Sequence, residues 1–311
     1  MALLVFLVGP TAVGKTALAL ALAPLIDAQI VSCDSMQIYS GMDIATSKPT
    51  IAEREIVKHH MLDVVSPRCE YSVADYRRDA LKIIEGIINN GRIPLIVGGS
   101  GLYFKALLDG IFNGPSKDTA LRESLYKEAS ERGNEFLYER LKKIDPATAE
   151  KIHSHDLRRI IRALEVYYLT GMPISVLRRH TTGLFSHYKT VIYGLIRPKK
   201  ELYQIIDERV EMMFARGLLP EIERLKNIKI TPIAQQCLGY REITAFLEGK
   251  ITLDEAKELL KRHTRQFAKR QLTWFLRDKR IKWINLDNSV DINTLAKELA
   301  NEIKQFSHLT I

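Results

Sequence analysis

The segment Gly9-Pro10-Thr11-Ala12-Val13-Gly14-Lys15-Thr16 constrains this chain more than any other feature. It reads G-x-x-x-x-G-K-T, follows the wholly apolar run Leu3 to Val8, and opens a stretch, Thr16 to Leu25, that is nearly all Ala and Leu. Strand, loop and helix in that order is the context in which the motif curls backbone N–H groups around phosphate oxygens at a helix N-terminus. Lys15 would add a point charge to the terminal phosphate, and the Thr16 hydroxyl would be a ligand for Mg2+. The bland alternative is a glycine-rich turn that holds nothing. The motif announces a diphosphate or triphosphate without naming the reaction.

Runs rich in Val, Ile and Leu recur at Leu3 to Val8, Gln29 to Ser32, Met61 to Val65, Ile93 to Val97, Thr190 to Ile196 and Ile281 to Leu286. Such runs suit strands covered on both faces. Helical patterns lie between the early ones; in Val73 to Asn89 the residues Tyr76, Ala80, Ile83, Ile84 and Ile87 share one face. Alternation of this kind predicts an α/β fold, a P-loop NTPase-like parallel sheet with flanking helices. From Asn113 to His187 the strand signal vanishes and helical periodicity covers 121–132, 135–143, 146–152, 155–170 and 174–179. We therefore expect an all-helical insertion domain at 114–187, set within a core made of 1–113 and 188–311.

With 311 residues, 46% of them hydrophobic, the chain can bury such a core without a disulfide or metal staple. Cys33, Cys69 and Cys237 are widely separated and lack C-x-x-C spacing, which fits a reducing cytoplasm. Met1 to Val8 has no basic flank of a signal peptide, and no stretch reaches about 18 uninterrupted apolar residues, so no membrane span is expected.

The rest of the site decides the reaction. Ile93 to Val97, the natural strand for a magnesium-binding Asp, runs instead into Gly98-Gly99-Ser100-Gly101, which weakens an ATPase reading. An acid follows the second strand, as Asp34 in Ile30-Val31-Ser32-Cys33-Asp34-Ser35, at the end of a parallel strand and so beside the phosphate loop. Asp34 is placed to act as a base; a Walker-B-like or helix-capping Asp is the other reading. Gly98 to Gly101 offers a second backbone-exposing turn with one hydroxyl, or simply a strand-to-helix turn. His59 with His60, and His153 with His155, lack further ligands in a metal pattern and read as structural.

Residues 257 to 282 hold ten Lys and Arg against Glu258 and Asp278, an excess of eight positive charges in a chain of net charge +9. That concentration fits contact with a nucleic-acid backbone, and also a solvated amphipathic helix. Arg158, Arg159 and Arg162 form a second cluster on the helix expected at 155–170, unless Arg162 instead pairs with Glu165 or Asp156. Two other classes share parts of this pattern: a nucleotide or nucleoside kinase with a helical lid, and an ATP-gated RNA-binding protein without bond-making chemistry.

Further blocks narrow the choice: Asp34-Ser35-Met36-Gln37-Ile38-Tyr39, Gly41 to Pro49, Gly98 to Tyr103, Arg158 to Glu165, Gly239-Tyr240-Arg241-Glu242 and Lys269-Arg270-Gln271-Leu272-Thr273-Trp274. In order, and over nearly the whole chain, they resemble the bacterial tRNA dimethylallyltransferases, or tRNA isopentenyltransferases. Ala45 stands where Gly is usual, and Ser100 where Thr is usual, the latter keeping the hydroxyl.

The resemblance implies transfer of a dimethylallyl group from dimethylallyl diphosphate to the exocyclic N6 amine of the adenosine immediately 3′ to the anticodon, releasing pyrophosphate. Gly9 to Thr16 would then bind a prenyl diphosphate rather than ATP, with Arg209 on the same diphosphate and Mg2+ at Thr16. Asp34 would accept the proton of the amine, assisted by Ser100, while Lys15 would stabilise the departing charge. Contact with tRNA is implied for Asp34, Ser35, Met36, Gln37, Ser100, Arg122, Arg158, Arg159, Ile160, Ile161, Arg162, Cys237, Leu238, Gly239, Tyr240, Arg241, Glu242, Lys269, Arg270 and Arg277. A cytoplasmic monomer that binds the anticodon stem-loop is expected.

Overall fold

A run that is apolar at every position, as Leu3–Val8 is, must be covered on both faces and on both edges. In the computed structural model, which describes residues 2–112 and 114–308, β1 (Leu3–Val8) accordingly lies inside a six-stranded sheet. The other strands are β2 (Ala28–Ser32), β3 (His59–His60), β4 (Ile93–Gly98), β5 (Lys189–Ile196) and β6 (Lys282–Asn285), in the order β3-β2-β4-β1-β5-β6. Every pairing is parallel; Val5, for example, sits opposite Leu95 on one side and Val191 on the other. The helices before the insertion are α1 (Lys15–Leu22), α2 (Ile51–Ile56), α3 (Val73–Asn89) and α4 (Gly101–Leu108). Those within it are α5 (Thr119–Arg132), α6 (Asn134–Ile144), α7 (Pro146–Ala149), α8 (Leu157–Thr170) and α9 (Ile174–Leu177). After it come α10 (Lys199–Ala215), α11 (Leu218–Asn227), α12 (Tyr240–Leu247), α13 (Leu253–Phe275) and α14 (Ile292–His308).

The chain divides into two compact units, a sheet unit up to Leu108 and again from His187, and a helical unit, Asp109–Ser186. Asn113, at the expected end of the first core segment, lies outside the described residues. In the sheet unit, side chains of β1 alternate between faces, as a strand requires. Leu3, Val5 and Leu7 pack with Leu18 and Leu22 of α1 and Ala296, Leu299 and Ile303 of α14. Phe6 points the other way, edge-on to Phe104 of α4, which in turn meets Trp274 and Phe275 of α13. The basic helix is thereby held against the sheet. The helical unit has its own core, built from Leu125 and Ala129, Leu137 and Leu141, and Ile160, Ile161 and Leu164.

Three departures from the sequence pattern have local causes. The strand expected at Met61 to Val65 is β3 at His59–His60 instead, because Met61 and Asp63 take positive φ of 61° and 55° and end the extended run. Val65 keeps only an isolated bridge to Tyr39. The helix expected through Leu25 stops at Leu22 and tightens into a 3₁₀ turn around Pro24, which has no N–H to continue it. Of the basic stretch 257–282, only the part to Phe275 is helical.

Candidate functional site

Because β1, β2 and β4 are parallel, their carboxyl ends deliver Gly9 to Gly14, Cys33-Asp34 and Gly99-Ser100 to one edge of the sheet. Gly98 makes that approach possible: a Cβ there would lie 2.0 Å from the Cys33 carbonyl oxygen. These loops, with the 46–49 segment and helices α10 and α13, enclose a cavity of about 290 Å³. Its polar lining includes Thr11, Lys15, Thr16, Ser32, Asp34, Gln37, Ser47, Arg209 and Gln271; Ile30, Pro49, Val97, Ile205, Met212 and Phe267 supply an apolar part.

The lining of the cavity is electropositive. The first amides of α1 have no partner within the helix, and Gly14, its N-cap, offers no side chain to take their place. Lys15 Nζ donates to the carbonyls of Gly9 and Pro10 at 3.0 and 2.6 Å, and burial lowers its pKa to about 8. Arg209 donates to Ser47 Oγ at 2.8 Å and to Thr11 Oγ1 at 3.2 Å, and burial lowers its pKa also. Two desolvated cations against the single carboxylate of Asp34 leave positive charge that a diphosphate would neutralise.

Asp34 caps no helix here. Its Oδ1 accepts from the Met36 amide at 2.8 Å within a turn, and no partner for Oδ2 is found among the described residues. Ser100 serves that turn: its amide donates to Cys33 O at 3.1 Å, and its Oγ accepts from the Ser35 amide at 2.8 Å and donates to Ser35 Oγ at 3.2 Å. Burial pushes the adjacent Cys33 thiol up to about 12, too high for a nucleophile.

Local spacing gives no hint of what holds the 43–48 loop. Glu221 of α11 accepts the amides of Asp43, Ile44 and Ala45, each at 2.9 Å. Lys48, nearly sealed from solvent, donates to Tyr39 O at 2.6 Å, Asp43 at 2.8 Å and Asp63 at 2.5 Å. Gln37 joins in, giving its amide to the carbonyls of Thr46 and Ser47 at 3.3 Å and accepting from Ser32 Oγ at 3.0 Å. The result presents Ser47 to Arg209.

Of the residues implied to touch RNA, Asp34 and Gln37 line the cavity and Ser35, Met36 and Ser100 belong to the turn beside it; the others fall into two sets. Arg158, Arg159, Arg241, Lys269, Arg270 and Arg277 are exposed, and Leu238 partly so. Ile160 and Ile161 are core residues of the helical unit with side chains sealed from solvent, so on this stretch the outward-facing side chains are those of Arg158 and Arg159. Cys237, Gly239, Tyr240 and Glu242 are buried as well; Glu242 accepts the Gly239 amide at 3.0 Å and meets His263. Arg122 and Arg162 are committed internally, Arg122 to both oxygens of buried Glu165 at 2.8 Å and Arg162 at 2.5 Å. Asp156, the other partner considered for Arg162, pairs with Arg159.

The fold and site define a P-loop-like α/β protein with two desolvated cations and a carboxylate around one cavity. The chain belongs to the IPP transferase family: that family's model matches residues 37–279, and a second, described as isopentenyl transferase, matches 2–66. A tRNA dimethylallyltransferase of Carboxydothermus hydrogenoformans is 50% identical over 284 residues, 91% of each chain. That of Halothermothrix orenii is 43% identical over 98% of this chain and 92% of its own. Among solved structures, the tRNA isopentenylpyrophosphate transferase of Bacillus halodurans matches with TM-score 0.72 and 38% identity, over 99% of this chain and 98% of that one. A eukaryotic dimethylallyltransferase acting on tRNA matches with TM-score 0.81 and 29% identity, over 98% and 79%. Membership displaces the kinase and ATP-gated binding readings.

Proposed function

We propose that this chain transfers the dimethylallyl group of dimethylallyl diphosphate to the N6 amine of the adenosine immediately 3′ to the anticodon in tRNA. The observation that carries the reading is the cavity, which sets two desolvated cations at a helix N-terminus, an apolar wall, and a carboxylate oxygen without a partner among the described residues around a single small space. The activities named for relatives that match along nearly the whole chain support it.

In this reading the allylic C–O bond breaks and its electron pair leaves with pyrophosphate, whose growing charge meets Lys15, Arg209 and the loop amides. The N6 lone pair forms the new C–N bond, and Asp34 Oδ2 takes the proton released from nitrogen. The base must leave its stack to reach the cavity, which costs least in a single-stranded loop. Mg2+ fits as a companion of the diphosphate rather than a resident ion. Thr16 and Asp34 line the cavity, while the described residues contain no group of three or more His, Cys, Asp or Glu able to hold a metal unaided. Bound there by Thr16 and the diphosphate oxygens, it would neutralise leaving-group charge. The reading includes a monomer working in the cytoplasm.

Incubation of the purified protein with dimethylallyl diphosphate, Mg2+ and unmodified tRNA should add one dimethylallyl mass to that adenosine, read by mass spectrometry of the nucleosides. Absence of the adduct overturns the reading. Asp34→Asn should lower turnover by about 10²-fold or more and leave pyrophosphate affinity within a few-fold; an unchanged rate removes Asp34 as the base.

A further inference from the structure

Gln271 is a buried polar side chain on the apolar stripe of α13, between Ala268 and Phe275. Its Oε1 accepts from the Thr11 amide at 2.8 Å, and its Nε2 donates to the Gly99 carbonyl at 2.9 Å. Only one orientation of the carboxamide satisfies both bonds. The contact lies just past the last paired residues of β1 and β4, Val8 and Gly98, where the ladder no longer sets the spacing of the two loops. Gly99 makes room for it, since a Cβ there would stand 2.3 Å from Gln271 Nε2.

The two loops so joined have different tasks. Thr11 holds Arg209 and belongs to the phosphate loop, whereas the turn after Gly99 carries Ser100, which supports the Ser35 amide beside Asp34. One loop grips the leaving group, and the other sets the base for the acceptor. Displacement at carbon needs both at a fixed separation, and a misplacement of about 1 Å can cost about 10²-fold in rate.

We propose that Gln271 is a positioning residue for the transfer step, acting through Thr11 and Gly99 to set the distance between the diphosphate site and the Asp34 turn. The proposal rests on the prenyl-transfer reading for its kinetic consequence, but its effect on anion binding stands without it.

Gln271→Met keeps the volume and removes both bonds; Gln271→Glu keeps the acceptor for Thr11 and removes the donor to Gly99. In folded Gln271→Met protein, kcat should fall about tenfold to a hundredfold, with KM for tRNA within about twofold of wild type. A merely structural role would lower the melting temperature and leave kcat per folded molecule intact. Gln271→Glu, should Gln271→Met fail to fold, is expected to show the same split. Pyrophosphate affinity, measured by calorimetry, should weaken about fivefold in Gln271→Met, because the phosphate loop loses the bond that fixes the Thr11 amide and with it part of its preorganisation. A folded variant with kcat and pyrophosphate affinity both within about twofold of wild type overturns the proposal. If the wild type binds pyrophosphate but makes no prenylated tRNA, the proposed reaction fails, and the calorimetric comparison alone decides the role of Gln271.

Discussion

Lys15 carries a charge that its surroundings disfavour, which makes its protonation a reporter of the site. Burial lowers its pKa to about 8, so the ligand-free ammonium is present below that pH and is lost as pH rises through it. An anion in the loop stabilises the charged form. Pyrophosphate affinity should therefore show a component that weakens as pH climbs past about 8, revealed as the difference between wild type and Lys15→Met in calorimetry across that range. A pH profile identical in the two proteins would show that Lys15 does not face the anion. At this scale the sequence is informative where chemistry is local. The motif around Lys15 and the acid at Asp34 are legible because each sits at a strand end. Gln271, Glu221 and Lys48 are not, because Gln271 and Glu221 bond to backbone more than 170 residues away, and Lys48 is a lysine where burial is unexpected. One signal was present: Gln271 and Glu221 both occupy positions on mostly apolar helix stripes.

Elements separate cations that composition lumps together. On α13, Lys257 and Lys261 pair with Glu211, and Arg265 with Asp207, all toward α10. No ion pair is found among the described residues for Arg262, Lys269, Arg270, Arg277 or Lys279, which are exposed. An amphipathic helix and a phosphate-binding surface, alternatives at the level of sequence, are here two halves of one segment. Lys269→Ala with Arg270→Ala should weaken tRNA binding and flatten the slope of log affinity against log salt by about one to two. Lys257→Ala with Lys261→Ala should leave that slope unchanged while loosening α13 from α10. Filter binding over a salt series checks both, and equal slopes for the two double variants would count against the division. The strands were legible for a related reason: an uninterrupted Val, Ile and Leu run has few ways to be covered. Only β3 misleads, since Asp63 is drawn toward Lys48 and Arg54, and that pull is invisible in the run itself.

At the scale of the molecule, two cores imply two separable stabilities. The loss of strand pattern after Asn113 made the helical unit legible, yet not what holds it, because Glu165 reads as one more acid on an amphipathic helix. It is sealed from solvent and accepts from Arg122, Arg162 and the Asp118 amide, the last at 2.9 Å. Burial alone would raise its pKa; the hydrogen bonds from Arg122, Arg162 and Asp118 outweigh that and hold it below the usual carboxylate range. A carboxyl lowered on folding contributes stability that is complete above its unfolded pKa, about 4.3, and is lost as pH falls through the folded value. Glu165→Gln should remove that acid-dependent component and leave two guanidinium groups without their counter-charge, at a cost of about 3 kcal/mol. Hydrogen exchange should accelerate across Asp109–Ser186 and not across β1, β4 and β5. Pyrophosphate affinity should hold, because every cavity-lining residue belongs to the sheet unit. Uniform acceleration through both units would mean that the two cores unfold as one.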